Sequence, residues 1–167
     1  MANTIRELIV QEFIARAAVM RHVDSPASGY ETEIGETVLR ARPKVDPDDL
    51  PCCVVWPQPE TGGNLHGRSR HVMPVKIEGL AMFGSENPSV VSERILGDMI
   101  KCFTSPSWDR RRAVAGSPAT YLDPYAESIL YQGGGTESAP EDGAVSIGVQ
   151  ATFLITYYTA IGDPYTP

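Results

Sequence analysis

The last long stretch of the chain, 145–159, most strongly limits what this sequence can fold into. Apolar and aromatic side chains recur there at every second position, with small or polar side chains between them and Leu154 as the exception. The recurring set is Val145, Ile147, Val149, Ala151, Phe153, Ile155 and Tyr157. A period of two sends alternate side chains to opposite faces of a strand, so one face is predicted to be buried and the other solvated. Such alternation is typical of an antiparallel sheet.

The length of this stretch is unusual for a strand. At about 3.3 Å per residue it would reach roughly 50 Å, whereas a domain of this size is roughly 30–35 Å across. Two interpretations follow. Either the strand bends at Gly148, or part of it leaves the domain and meets another molecule, as in a subunit of an assembly.

The remaining patterns predict two helices and four further strands. Thr4 and Glu7 fit a capping box at the start of one helix, and Asn87 with Pro88 fits the start of the other. The predicted helices cover about 4–20 and 88–103, and the other strands cover 33–42, 52–56, 72–83 and 121–132. The sequence therefore predicts one α+β domain over 1–167, with a mainly antiparallel sheet, a long C-terminal β-hairpin and two packed helices.

Two glycine-rich segments are predicted to lack regular structure. Segment 58–70 is polar and glycine-rich, which is typical of a mobile loop. Segment 133–143 reads as a flexible hairpin tip, in which Gly133–Gly135 would act as a hinge. Pro74, near the start of a predicted strand, indicates a sheet edge or a bulge.

Composition argues against several classes of protein. The formal charge is -7 and the pI about 4.9, which disfavours an outer surface that grips nucleic acid. No Lys or Arg follows Arg112, so the C-terminal third is purely acidic. No apolar run approaches the roughly 18 residues of a membrane span, so no membrane association is expected. Three cysteines, an odd number, favour free thiols in a reducing compartment.

The sequence gives no positive sign of catalysis. Cys52 and Cys53 are adjacent and point to opposite faces of a strand, so neither spacing nor direction suits a zinc site with His66 or His71. Cys102 lies near the end of a helix, where the dipole disfavours a thiolate nucleophile. The glycine run lacks the Lys-Ser/Thr of a phosphate loop. We therefore expect no catalytic residues, no cofactor and no metal.

Basic side chains concentrate in two places. Arg110, Arg111 and Arg112 form the densest run, which suits either a solvated loop, a subunit salt bridge or contact with nucleic acid. Arg68 and Arg70 form the second group, beside two histidines. If several copies of the chain lined a ring, these arginines would form a positive belt.

The order of elements is familiar. An amphipathic helix is followed by a polar strand, the stretch Asp49-Leu50-Pro51-Cys52-Cys53-Val54, a long strand, the helix 90–103 and a hairpin that closes on Phe153, Ile155 and Tyr157. This pattern resembles the tail terminator proteins of long-tailed bacteriophages, which are also called minor tail or tail completion proteins. The resemblance spans most of the chain and consists of element order, size and a weak motif.

The resemblance implies a structural protein of the virion. Such subunits form a homohexameric ring that caps the finished tail tube, stops its polymerisation and offers a surface for the head–tail connector, after assembly in the host cytoplasm. DNA passes through the channel without sequence-specific binding. In this setting Arg68, Arg70, Arg110, Arg111 and Arg112 are candidates to face the lumen or the DNA. The candidate subunit interface comprises Tyr131, Gln150, Thr152, Leu154, Thr156 and Tyr158.

Two alternatives stay open. One is another neck or tail component, such as a head–tail adaptor or a tube subunit, which would share the fold and differ in how it assembles. The other is a small cytoplasmic α+β enzyme or ligand-binding domain. That alternative predicts a monomer or dimer with a concave pocket.

Overall fold

The computed structural model describes residues 3–22, 29–104, 125–136 and 145–167. They form an α+β fold with two helices and a mixed, mostly antiparallel sheet of six strands, which confirms the predicted fold class. The helices are α1 (Ile5–Ala17) and α2 (Pro88–Thr104), and a short 3₁₀ helix covers Pro47–Asp49. The strands are β1 (Thr37–Arg40), β2 (Cys52–Pro57), β3 (Thr61–Leu65), β4 (Arg68–Met82), β5 (Ala126–Thr136) and β6 (Ser146–Ala160).

The sheet is built around one long antiparallel pair. β4 and β6 pair without interruption from Arg68 opposite Ala160 to Met82 opposite Ser146. The strand order is β1-β2-β4-β6-β5, and β3 pairs with the first residues of β4, on the same edge as β2. Only β1 and β2 run parallel among the described strands.

The pairing of β6 answers the question that its length raises. β4 covers one edge of β6 along its whole length, and β5 covers the other edge from Val149 to Tyr157. Within the described residues most backbone groups of β6 are therefore paired inside the chain, and a contact of this strand with another molecule stays a prediction. Gly148 keeps its place in the ladder opposite Leu80. The chain accommodates the length with an equally long partner strand.

Helix α1 begins as the sequence predicts. Thr4 Oγ1 accepts a hydrogen bond from the Glu7 N–H at 3.1 Å, which satisfies one of the free donors of the first turn. The Glu7 carboxylate does not complete the predicted box but accepts two hydrogen bonds of 2.7 Å from Arg40. These bonds lower the pKa of Glu7. They also tie the helix to the end of β1.

Helix α2 contains a buried carboxylate that the apolar pattern did not predict. Asp98 is 4% exposed and accepts hydrogen bonds from Glu31 N at 3.0 Å, Thr32 N at 2.8 Å and Thr32 Oγ1 at 2.6 Å. A buried carboxylate is tolerated only when its oxygens are hydrogen-bonded. Asp98 thus fastens the segment before β1 to the helix. Leu96 and Ile100, which the apolar pattern placed on the buried side of the helix, are only partly buried.

Aromatic rings from four elements meet at the centre of the core. Phe13 of α1 and Phe103 of α2 stack with centroids 4.0 Å apart. Phe153 of β6 lies 5.2 Å from Phe103, and Tyr131 of β5 lies 5.6 Å from Phe153. Both helices thus pack on the face of the sheet that carries the alternating apolar residues of β4 and β6, as the period of two predicts.

The structure corrects both predictions of irregular segments. Segment 58–70 contains β3 and the first residues of β4, which form a hairpin. Gly133–Gly135 belong to β5 and pair with β6, so they are not a hinge, while 137–143 lie outside the described residues. Pro74 stands inside a central strand, but at the gap between β2 and β3, where Pro57 and Thr61 are the nearest paired residues. The local edge that its missing N–H requires is therefore present.

Glycine at position 134 is predicted to be required by packing. An added Cβ would lie 2.4 Å from the Gln150 carbonyl oxygen and 2.9 Å from the Ala151 Cα, both backbone atoms. Gly134→Ala should therefore lower the free energy of unfolding by about 1–3 kcal/mol through overpacking. Gly135→Ala is the matched control, because nothing lies within 4 Å of its Cβ. Chemical denaturation of the two variants checks this, and equal stability would contradict the packing role.

Candidate assembly surfaces

The face of the sheet opposite the helices carries most of the predicted subunit interface. Gln150, Thr152 and Leu154 lie half-buried on it. Their partners on β4 are Glu78, Lys76 and Pro74. Glu78 also accepts a hydrogen bond of 3.0 Å from Trp56 Nε1 and pairs with Lys76. This outer face is thus a mixed polar and apolar surface whose charges are paired.

Tyr158 also lies half-buried on the outer face, opposite Arg70 in the β4–β6 register. Like Gln150, Thr152 and Leu154, it is placed where a neighbouring subunit could contact it.

Two predicted interface residues are not exposed on the outer face. Tyr131 points to the helix side, where its ring contacts Phe153, its partner in the β5–β6 register. Thr156 is only 6% exposed between its strand neighbours Val72 and Ser128. Alternation alone could not reveal how closely neighbouring strands cover a short side chain such as Thr156.

The β3–β4 hairpin, residues 61–71, is named the basic arm. Its two-residue turn is His66-Gly67, with φ of 48° and 80°, between the paired residues Leu65 and Arg68. Positive φ at both turn residues matches the right-handed twist of a hairpin. The segment contains no Asp or Glu, and 61–68 are exposed throughout. A histidine at the first turn position is an uncommon signal, which explains why the sequence favoured a loop.

Arg68 and Arg70 differ from the other arginines in the described part of the chain. Arg6, Arg40, Arg42 and Arg94 each lie within 4 Å of a carboxylate oxygen. Within the described ranges, Arg68 and Arg70 have neither an ion pair nor a side-chain hydrogen bond, and both are exposed. The basic arm therefore presents uncompensated positive charge in an acidic protein. Arg110, Arg111 and Arg112 lie outside the described residues, so the structure does not place them.

A polar cluster at the base of the basic arm was not predicted. Glu60 accepts a hydrogen bond of 2.6 Å from the Tyr157 hydroxyl and lies 3.4 Å from both Arg6 Nε and His71 Nδ1. The His71 ring stacks on Tyr157 at 4.7 Å, and its Nε2 is 3.0 Å from Thr159 Oγ1. Burial, then the bond to Glu60, raises the pKa of Tyr157. The cluster clamps the arm to β6 and to the start of α1.

An open cleft lies at the opposite end of the sheet and is named the acidic cleft. Its volume is about 270 Å³. Leu50, Pro51 and Met82 are among its apolar lining, and its charged lining comprises Glu31, Glu33, Glu86 and Arg94. A second hollow, of about 380 Å³, lies along the basic arm and has Arg70 as the single ionisable residue of its lining. Neither lining holds a histidine or a cysteine.

The cysteines occupy packing positions. Cys52, Cys53 and Cys102 are all fully buried and unbonded to one another. Burial raises the pKa of Cys52 and of Cys102 to about 11, and it raises that of Cys53 as well. Among the described residues no group of three or more His, Cys, Asp or Glu is arranged to hold a metal ion. In the same part of the chain, no helix combines the length and the apolar character needed to cross a membrane.

The chain matches no protein-family model and no curated protein.

The three thiols are predicted to be unreactive in the folded protein. At pH 8, a thiol with a pKa of about 11 is almost wholly protonated, and the thiolate is the reactive form. A chromogenic disulfide reagent should release no colour within minutes from the native protein. In guanidinium chloride it should report all three cysteines. A thiol that reacts rapidly in the native state would contradict the packing role and reopen a catalytic one.

Proposed function

We propose that this protein is a structural subunit of a long-tailed phage, namely a tail terminator. Its subunits would form a ring, hexameric in the resembling proteins, that caps the tail tube, ends its polymerisation and receives the head–tail connector. The protein would be part of the virion tail or neck after assembly in the host cytoplasm. The described residues support this with a well-packed core beside three exposed surfaces suited to assembly: the outer sheet face, the basic arm and the acidic cleft.

One observation supports the proposal most strongly. The β4–β6 ladder runs uninterrupted through the sheet and ends in the exposed basic arm, which packs little of its own surface. A hairpin that adds no residue to the core contributes little to folding, so its extension is best explained by contact with another molecule. A subunit that must meet both a neighbour and a tube needs such surfaces.

A second candidate is a different neck or tail component, either a head–tail adaptor or a tube subunit. The same exposed surfaces favour it equally, and the distinction lies in assembly. A tube subunit should polymerise into long stacks, whereas a terminator should stop at one ring. The small cytoplasmic enzyme or ligand-binding domain remains the candidate from another class, but neither hollow described above gathers an acid–base pair with a nucleophile.

Electron microscopy of tail tubes tests the proposed function. Purified protein added to growing tubes should produce shorter tubes with one ring at a single end, because a closed ring presents one face that matches the tube and one that does not. The matched control is the same amount of a variant unfolded by Phe153→Asp, which places an unpaired charge in the aromatic core. Unchanged tube lengths and bare ends would contradict the terminator role.

The arginine run tests the channel part of the proposal. Replacing Arg110, Arg111 and Arg112 by Ala should leave the protein folded and the tails normal in length. If these residues face the DNA path or the assembly, phage yield should fall. Lys44→Ala is a suitable control, because it removes an exposed positive charge elsewhere. Unchanged yield would make the run a solvated loop.

A further inference from the structure

The basic arm and the acidic cleft lie at opposite ends of the same ladder. The arm begins β4 at Arg68, and the cleft includes Met82, the last residue of β4. At about 3.3 Å per residue, the fourteen steps between these two residues span roughly 45 Å. The arm of one chain therefore cannot fold back into its own cleft, and any contact between the two must join different molecules.

The arm presents an apolar side chain flanked by positive charge. Leu65, next to the turn, is 43% exposed. Arg68 and Arg70 follow it and have no carboxylate partner within the described residues. With no acidic residue in 61–71, the two arginines give the arm a formal charge of +2 with the histidines neutral.

The cleft presents the complementary surface. Its apolar lining is Leu50, Pro51, Ala81, Met82 and Val91, and the Met82 side chain is 58% exposed. Its charged lining is three glutamates and one arginine. Glu86 pairs with Arg94 and Glu33 lies 3.8 Å from Arg21, so Glu31 is the lining carboxylate that has no ion pair within the described residues. The volume of about 270 Å³ is enough to admit one aliphatic side chain. Opposite charge and an apolar centre are the features that steer and fix a protein contact.

We propose that the basic arm of one copy docks into the acidic cleft of a second copy of this chain. Leu65 enters the apolar part of the acidic cleft, and Arg68 and Arg70 face the glutamates of the cleft. One of these is Glu31, which has no ion pair in the described residues. The contact joins different surfaces on the two copies, so it is heterologous and repeats head to tail. Such a contact closes into a ring or continues as a filament.

This proposal rests on the self-association in the proposed function and not on the tail role. It also assigns Arg68 and Arg70 to a subunit boundary, in place of the channel wall suggested by the resemblance. The two positions are distinguishable, because a channel residue can be charge-reversed without dissociating the ring, whereas a boundary residue cannot.

Disulfide trapping tests the contact directly. Leu65→Cys and Met82→Cys place one exposed thiol at each end, and the three natural cysteines are buried. An equal mixture of the two variants is treated with copper-phenanthroline and resolved by mass spectrometry. The Leu65→Cys to Met82→Cys heterodimer should predominate over both homodimers. Absence of the heterodimer, or equal amounts of all three dimers, would overturn the proposal.

Charge reversal provides a second, independent test. Arg68→Glu with Arg70→Glu should weaken self-association by at least about tenfold, and Glu31→Arg with Glu86→Arg in the mixed partner should restore it. Lys44→Glu is the control for an exposed charge elsewhere, and it should leave association unchanged. Reversal without loss, or loss without restoration, would overturn the contact.

The outcome also separates this contact from the tail role. A protein that caps tubes but yields no heterodimer would overturn the contact alone. A protein that yields the heterodimer but leaves tubes uncapped would retain the contact and lose the terminator role.

Discussion

The backbone pairing of β4 with β6 is the interaction on which the rest of the structure depends. β2 and β3 attach to one edge of this pair and β5 to the other, and both helices cover one of its faces. The positions of these strands and helices therefore depend on the β4–β6 register, which pairs Arg68 with Ala160 at one end and Met82 with Ser146 at the other. A shift of this register by one residue would turn the apolar side chains of β6 to the outer face. The register thus fixes both the core and the positions of the two charged ends.

Side-chain contacts stabilise this register at separate points along the ladder. Phe13, Phe103 and Phe153 fix the middle of the sheet against both helices. The hydrogen bond from Tyr157 to Glu60 fixes the end that carries the basic arm. Buried aromatic packing and a charged hydrogen bond depend differently on solvent. The packing in the middle of the sheet should therefore be insensitive to salt, whereas the contacts at the end that carries the basic arm should weaken as salt rises.

The sequence predicted elements whose signal is local, and it missed features that depend on distant residues. The alternation in 145–159 and the caps at Thr4 and Asn87 were sufficient for the strand and the two helix starts. The role of Gly134 was not predictable, because it follows from how closely β5 approaches Gln150. In the cluster around Glu60, the hydrogen bond from Tyr157 to Glu60 joins residues 97 positions apart. Thr156 is covered by neighbouring strands whose order the pattern could not predict.

The most direct test of the proposed self-association is the mass of the purified protein, measured by light scattering over a range of protein concentrations at low and at high salt. A discrete multiple of 18.1 kDa that dissociates as salt rises is the predicted result, because charge on opposite ends of the ladder holds the copies together. A mass of 18.1 kDa under all conditions, or an assembly indifferent to salt, would contradict it.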